Sequence, residues 1–368
     1  MALLWPIMET FRFDIDELAV PAAPGAAGWP DFEAANRVRN AVESEAYGTT
    51  DLELTAEEVL PGWLDQSWDR KRLFAARDSD GRIVGRGHYE FLPEDSAEHT
   101  WLAVEVLPAS RRRGIGSALF DRLEAIAHAE GRLVQIVYAP SPDAPGERLP
   151  SPTGFGSVPL GNPEVRFLRG RGYRLEQVVR ASRLALPVDP AALRRLREEA
   201  AAHAGPDYSV LQWVDRTPPE WLPDLAHLYT RMSTDAPSAG LAEPEQRWTP
   251  ERVALEERKA AAGPRTALTS AVLHGPSGHL VGFTELDVPA EFRRAVSQED
   301  TLVLREHRGR RLGMLLKAAN LELLAAERPG HPSVTTFNAE ENRHMLTVNE
   351  ALGFAPMGYE GAWRRDAE

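Results

Sequence analysis

Two short turns in this sequence carry residues that could bind an anion. The first reads Arg111-Arg-Arg-Gly-Ile-Gly116 and the second reads Arg308-Gly-Arg-Arg-Leu-Gly313. Each follows an apolar run typical of a strand and precedes a run with helical periodicity. The start of a helix offers unpaired N–H groups, glycine allows close approach to the backbone, and arginine adds bidentate donors. The pattern predicts phosphate binding and suits a pyrophosphate. A solvated arginine cluster on an ordinary turn is the alternative.

Two other phosphate-binding folds are disfavoured by the residues around the first turn. Gly114-Ile-Gly116 is followed by Ser117, Ala118 and Leu119, and a dinucleotide fold needs its third glycine at the position of Leu119. Such a fold also needs an acidic residue at the end of the next strand, which here ends at Tyr138. The Gly-x-x-x-x-Gly-Lys-Ser/Thr pattern of a P-loop does not occur in the sequence.

The two turns belong to an internal repeat in which Arg308 stands at the place of Arg111. Upstream of each turn a hairpin is predicted, because glycine-containing turns separate strand-forming runs. Downstream, a strand is followed by an asparagine-led helix that ends in Gly172-Tyr173 or Gly353-Phe354. The repeat predicts an α/β (α+β) protein with two tandem domains, each a mixed, mostly antiparallel twisted sheet with helices on both faces.

The predicted domains are residues 1–187 and 207–368, joined by a linker helix over residues 188–206 that ends at Gly205-Pro206. Three helix starts are also predicted: Asp31 as an N-cap, Thr55 with Glu58 as a capping box, and Thr249 as an N-cap before Pro250. The first copy carries an extra segment, residues 139–161, rich in Pro, Ser and Gly. Loops of that length inside a compact domain are usually functional or mobile.

The first turn resembles the Gln/Arg-x-x-Gly-x-Gly/Ala motif of the GNAT superfamily of acyl-coenzyme A dependent N-acetyltransferases. Residues 111–116 match the motif fully, whereas Arg311 stands where the second copy would have its first glycine. The segment from Thr336 to Phe354 resembles the fifth strand and final helix of the family. The resemblance covers nearly the whole chain as a tandem pair, in a layout similar to two-domain actinobacterial members.

The resemblance implies that acetyl-coenzyme A is the co-substrate. In the family the fourth strand separates from the fifth, and the pantetheine arm of the cofactor lies in the gap. The residues that would contact the cofactor in the first copy are Val104, Val106, Arg111, Arg112, Arg113, Gly114, Ile115, Gly116 and Ser117. Those in the second copy are Thr301, Val303, Arg308, Gly309, Arg310, Arg311, Leu312, Gly313, Met314, Asn338 and Asn342.

The implied reaction is direct attack by a primary amine, which must first lose a proton to a carboxylate. Glu105 and Asp300 are the preferred candidate bases, and Glu98, His99 and Glu299 are further candidates beside the same strands. The alternatives are an exposed strand carboxylate for Glu105 and a salt bridge for Asp300. The tyrosine that protonates the thiolate in many members is replaced by Leu168 in the first copy and Asn349 in the second. Another residue or solvent must then protonate the thiolate, or the domain does not catalyse.

Composition narrows the function further. A net charge of −13 disfavours nucleic acid and anionic lipid as partners and favours a small cationic amine. The chain contains no cysteine, which excludes a cysteine acyl-enzyme and thiolate zinc sites. The histidines show no metal-ligand spacing, so no metal is expected.

The apolar start, residues 1–9, is short, lacks a basic flank and contains Pro6, and no apolar stretch approaches the ~20 residues of a membrane span. We therefore expect a cytoplasmic monomer or homodimer with a small-molecule amine substrate. The alternatives are a non-catalytic acyl-coenzyme A sensor, an enzyme with one active and one degenerate half, and a nucleic-acid binder that uses the arginine turns.

Overall fold

The computed structural model of the protein describes residues 11–93 and 98–367. The expectation for residues 1–9 lies outside the described residues. The strands of the large sheet are β1 (Phe13–Leu18), β2 (Arg70–Asp78), β3 (Ile83–Phe91), β4 (His99–Val106), β5 (Val134–Pro140), β8 (Arg174–Ala185), β9 (Tyr208–Val214), β10 (Arg265–His274), β11 (His279–Pro289), β12 (Val296–Val303), β13 (Ser333–Ala339) and β14 (Ala355–Asp366). A separate hairpin consists of β6 (Arg148–Pro150) and β7 (Ser157–Pro159).

The helices flank the large sheet. They are α1 (Trp29–Tyr47), α2 (Ala56–Leu64), α3 (Ile115–Ala129), α4 (Pro163–Gly170), α5 (Pro190–Ala204), α6 (Leu222–Asp235), α7 (Pro250–Ala260), α8 (Leu312–Glu327) and α9 (Arg343–Leu352). None of the helices in the described part of the chain is both long and apolar enough to cross a bilayer.

Helices cover both faces of the sheet, as predicted. Successive residues of a strand point to opposite faces. In β2, Leu73 and Ala75 pack with α1 and α2, whereas Phe74 and Ala76 pack with α3 on the other face. The second half repeats this division, with α6 and α7 on one face and α8 on the other. The mixed, mostly antiparallel α/β class is confirmed.

The two halves share one continuous twelve-stranded sheet. Its order is β1-β2-β3-β4-β5-β14-β8-β13-β12-β11-β10-β9. The strand that closes the first half, β8, pairs with β13 of the second half, and β14, which closes the chain, pairs with β5 of the first half. The closing strand of each half is therefore hydrogen-bonded to a strand of the other half. The predicted domain boundaries describe the repeat along the chain, but the two halves interlock in space.

Equivalent glycines of β3 and β11 lie where a side chain would meet close neighbours. A Cβ on Gly85 would lie 3.0 Å from Ile115 Cγ2 of α3, and a Cβ on Gly282 would lie 2.8 Å from the Leu302 carbonyl of β12. The first contact is tight and the second is too short for an ordinary side chain. Gly85 therefore lets α3 lie close against β3, whereas Gly282 accommodates the neighbouring strand β12.

Local signals in the sequence are confirmed at two of the three predicted helix starts. Thr55 and Glu58 form a capping box, and the Thr249 side chain accepts from Arg252 N. The prediction for Asp31 was wrong: α1 begins at Trp29 after Gly28, and Asp31 lies in its first turn. Gly28 has a left-handed φ of 84°, which glycine tolerates and aspartate tolerates less well.

The extra segment of the first copy is an ordered part of the core. It contains the β6–β7 hairpin, and Val158 is fully buried in the same hydrophobic cluster as Leu119, Leu168 and Trp363. Since these apolar side chains come from α3, α4 and the sheet, the segment packs between them and extends the core of the first half.

Candidate functional site

Both arginine turns lead directly into a helix without a side-chain cap. Gly114 precedes α3 with φ 87°, and Arg311 precedes α8 with φ 56°; neither helix receives a side-chain cap hydrogen bond. Arg112 and Gly309 are also left-handed, at 63° and 78°. The two turns thus have the same backbone shape, and alternating left-handed residues of this kind form a concave nest of N–H groups suited to an anion.

The first arginine of each turn supports the turn itself. Arg111 Nε donates to the Val106 carbonyl at 3.0 Å and Arg308 Nε donates to the Val303 carbonyl at 2.9 Å. Arg111 is also paired with Glu45, and Arg308 Nη2 lies 2.9 Å from Asp235 Oδ2. These contacts tie both arginines to the strand end and to a carboxylate. The remaining arginines, Arg112, Arg113, Arg310 and Arg311, are exposed beside the helix start.

The predicted cofactor residues surround this helix start in each half. Ile115 and Leu312 are buried first residues that anchor the helix to the core. Gly116, Ser117, Gly313 and Met314 follow in the first helical turn, where backbone N–H groups lack helical acceptors. No non-neighbouring heavy atom lies within 4 Å of a Cβ built on Gly313, so the space beside it is open.

The fourth strand of each half separates from the fifth. β4 pairs in parallel with β5 only from His99 to Trp101, and β12 pairs with β13 only through Val296 and Ser297. Residues 102–106 and 298–303 continue past the last pair. Val104 and Val106 lie on the first separated segment and Thr301 and Val303 on the second, which places all four beside a gap in the sheet.

Only the second half has a bulge at this point. Thr284 pairs with Thr301 and Leu286 pairs with Gln298, so Glu299 and Asp300 together oppose Glu285. The amide of Gln298 supports the bulge, with Nε2 donating to the Glu285 carbonyl at 2.6 Å. In the first half β3 and β4 pair regularly from Gly85 to Glu90. Bulges redirect side chains and often lie next to active sites.

The bulge places two carboxyl groups with raised pKa values, those of Glu285 and Asp300, on one face of the sheet. Glu285 accepts a hydrogen bond from the Tyr229 hydroxyl at 2.9 Å, and burial together with the charge of Asp300 raises the pKa of Glu285 to about 8. Burial and neighbouring Glu299 raise the pKa of Asp300 to about 6. Tyr229 stacks on Trp248 at 4.7 Å. This face therefore combines acidic groups that can exchange protons near neutral pH with an aromatic wall.

The other predicted base, Glu105, lies in a different environment. Its Oε2 lies 3.0 Å from Arg86 Nε, and both side chains are largely buried. The carboxylate of Glu105 is therefore held in an ion pair with Arg86.

The first half has a cleft on the corresponding face. A cavity of about 240 Å³ lies beside the separated strands, lined among others by His88, Glu90, Trp101 and Tyr138. A segment of the second half covers it: Glu243 Oε1 accepts from the Tyr138 hydroxyl at 2.9 Å and from Trp101 Nε1 at 3.2 Å. The carboxylate of Glu243 is thus held by the aromatic side chains of the cleft.

The predicted asparagines make contacts within the second half. Asn342 Oδ1 accepts from Met345 N at 3.3 Å and caps α9. Asn338 Oδ1, on β13 beyond its last pair with β12, accepts from Asn349 Nδ2 at 2.7 Å. Asn342 therefore positions the helix, whereas Asn338, which is half-buried, and Asn349, which is buried, form a polar pair beside the gap.

Sequence reasoning missed Glu285 and Tyr229. Glu285 alternates with Asp287 on a predicted strand, a pattern that places both carboxylates on one face and could have identified them. Tyr229 lies on α6, far from Glu285 in sequence, and gave no comparable signal.

Residues 39–145 match the family model described as Acetyltransferase (GNAT) family. The tandem GNAT protein from the clavulanic acid biosynthesis pathway superposes with a TM-score of 0.71 at 24% identity, covering 97% of this chain and 99% of that one. This chain has the tandem GNAT fold. No curated protein sequence matches it significantly.

Two further structures share the fold. A GCN5-related N-acetyltransferase from Sphaerobacter thermophilus has a TM-score of 0.59 at 17% identity and covers 97% of each chain. The glucosamine N-acetyltransferase region of a fungal multi-domain β-N-acetylglucosaminidase has a TM-score of 0.60 at 15% identity; the match covers 97% of this chain and 38% of that one.

Proposed function

We propose that the protein transfers an acetyl group from acetyl-coenzyme A to the primary amine of a small cationic molecule. The observation that carries this proposal is the second half's strand gap, bordered by an uncapped helix start and by the bulge that presents Glu285 and Asp300. A helix start that can bind the diphosphate of the cofactor and carboxyl groups that can accept a proton therefore lie at the same place.

The residues present fit the cofactor. The N–H groups at the start of α8, with Arg310 and Arg311, would hold its diphosphate, and Thr301, Val303 and Asn338 border the gap for its arm. Bound acetyl-coenzyme A would supply the acetyl group as a thioester. The chain has no cysteine to form a thioester of its own, so direct attack by the amine is proposed.

The acidic face suits an amine acceptor. A cationic amine gains from nearby carboxylates and from the faces of Tyr229 and Trp248. To react, the ammonium group must lose a proton, and a carboxyl group whose pKa lies near the working pH is an effective acceptor. Glu285 and Asp300 meet that requirement because burial raises both pKa values.

The first half lacks several of these features. Its fourth strand has no bulge, and Glu105 is paired with Arg86. These differences favour an enzyme with one active and one degenerate half, and we assign the reaction to the second half.

The proposal is tested by following release of free thiol from acetyl-coenzyme A across a panel of amines. We expect E285Q and D300N each to lower kcat/KM by about 100-fold or more, the usual contribution of general acid–base catalysis. E291Q is the matched control, since Glu291 is an exposed carboxylate just beyond the end of β11 and should retain activity.

Two results would contradict the proposal. Turnover that survives both E285Q and D300N would place the base elsewhere. Binding of coenzyme A without turnover of any amine would instead support a non-catalytic acyl-coenzyme A sensor.

A further inference from the structure

Two helices flank the strand gap in each half: α3 and α4 in the first, and α8 and α9 in the second. Because the halves repeat, the residues between these helices can be compared position by position. Phe120 comes six residues after Gly114, which precedes α3. Lys317 comes six residues after Arg311, which precedes α8, so the two positions are equivalent. Leu168 and Asn349 are equivalent because their carbonyls accept from the N–H of Tyr173 and Phe354, each at 3.0 Å. The first half thus has two apolar residues where the second half has polar ones.

In the first half these positions close the space. Phe120 packs on Phe167 and Tyr173, with ring centroids 5.1 and 6.2 Å apart. Leu168 is 2% exposed, and Val158 of the extra segment belongs to the same hydrophobic cluster. Phe120, Leu168 and Val158 thus belong to one apolar cluster, and Arg171 lies over the rings of Phe120 and Phe167.

In the second half the same region contains polar groups without protein partners. Lys317 is 2% exposed, and its contact is with the ring of Phe354, 5.8 Å from Nζ; among the described residues it makes no hydrogen bond or ion pair. Asn349 is 1% exposed, and its Oδ1 is buried without a hydrogen-bond donor. The region thus contains a buried, unsatisfied acceptor on Asn349 and a buried lysine without a partner among the described residues.

Unsatisfied buried polar groups oppose folding. Burial also lowers the pKa of Lys317 to about 7, so even the neutral amine keeps donors that need acceptors. Phe120 shows that an apolar side chain fits the equivalent position of the same fold. A ligand that offers both carbonyl oxygens and N–H groups would satisfy Lys317 and Asn349 together, and the amide-bearing pantetheine arm has that chemistry.

We propose that Lys317 and Asn349 bind the pantetheine arm of acyl-coenzyme A, and that the chain therefore takes up one cofactor, in its second half only. This inference rests on the proposed function and goes further, because it assigns a role to a buried lysine outside the arginine turn and explains which half is loaded. Lys317 acts as a binding residue that selects the second half.

Calorimetric titration of the full-length chain with coenzyme A tests the inference. The wild-type protein is expected to bind one equivalent. K317M replaces the amine with an apolar side chain of similar length and should weaken binding at least tenfold. F120M makes the same replacement at the equivalent position of the first half and should bind coenzyme A as the wild type does.

Thermal unfolding distinguishes a role of Lys317 in binding coenzyme A from a purely structural role. K317M should have a free-protein Tm equal to or above the wild-type value, while the rise in Tm on adding coenzyme A is lost. A lowered Tm in the free protein with the ligand-induced rise retained would overturn the inference.

The outcomes distinguish this inference from the proposed function. Two equivalents bound, unchanged affinity in K317M, or equal weakening in F120M would overturn the inference and leave acetyl transfer standing. A wild-type protein that binds no coenzyme A would overturn both.

Discussion

Burial gives the carboxyl group of Glu285 a high affinity for a proton, which matters for stability as well as for catalysis. Its pKa is about 8 in the folded protein and near 4.5 when exposed. The folded state therefore binds more protons than the unfolded state between these values, and stability falls as pH rises through that range. Tyr229 partly offsets the cost by donating a hydrogen bond.

E285Q should remove this pH dependence. We expect the variant and the wild type to be similarly stable at pH 5, and the variant to be more stable by on the order of 2 kcal/mol at pH 9. The difference is measured by denaturant unfolding across this range, with E291Q as the exposed control. A difference that stays constant with pH would show that Glu285 titrates normally.

At the scale of elements, the two arginine turns differ at one informative position. Gly114 and Arg311 both have left-handed backbone angles directly before a helix. A residue with a Cβ pays roughly 1–2 kcal/mol for that conformation, and glycine does not. Each turn therefore carries one such cost, at Arg311 in the second turn and at Arg112, whose counterpart is Gly309, in the first.

Reciprocal substitutions test this cost. R311G should stabilise the free protein by about 1 kcal/mol, and G114R should destabilise it by a similar amount. In the part of the chain that the structure describes, no non-neighbouring heavy atom lies within 4 Å of a Cβ on Gly114, so the backbone angle decides the outcome there. If R311G instead lowers the Tm, contacts of the Arg311 side chain outweigh the strain.

At the scale of the whole molecule, the exchanged strands make each half depend on the other. β8 lies between β14 and β13, and β14 lies between β5 and β8. The central four strands thus alternate in origin between the halves. A half expressed alone would leave β5 or β13 as an unpaired edge, which favours aggregation.

We expect residues 11–187 or 207–367 expressed alone to aggregate or remain unfolded, and the two expressed together to form a soluble complex. Size-exclusion chromatography and circular dichroism measure both. As a control, cleavage at a protease site engineered at Gly205-Pro206 should leave the halves associated. A folded, monomeric first half on its own would contradict this view of the sheet.

The sequence by itself determined the repeat, the fold class, the two arginine turns and two of the three predicted helix starts. These features depend on neighbouring residues: hydrophobic periodicity, glycine in tight turns, and hydroxyl side chains at helix starts. Thr55 with Glu58 and the shared shape of both turns are of this local kind. The same local reasoning proposed Glu105 and Asp300 as bases but could not show that Arg86 neutralises one of them.

Tertiary structure alone decided the exchange of closing strands, the bulge opposite Glu285 and the burial of Lys317. Each depends on which distant segments pack together, because strand pairing and desolvation are set by neighbours in space. Tyr229 meets Glu285 only once α6 lies on the sheet, and Lys317 becomes a buried, unpaired amine only once α8 and α9 enclose it. The acidity and the binding capacity of these side chains are therefore properties of the packed molecule.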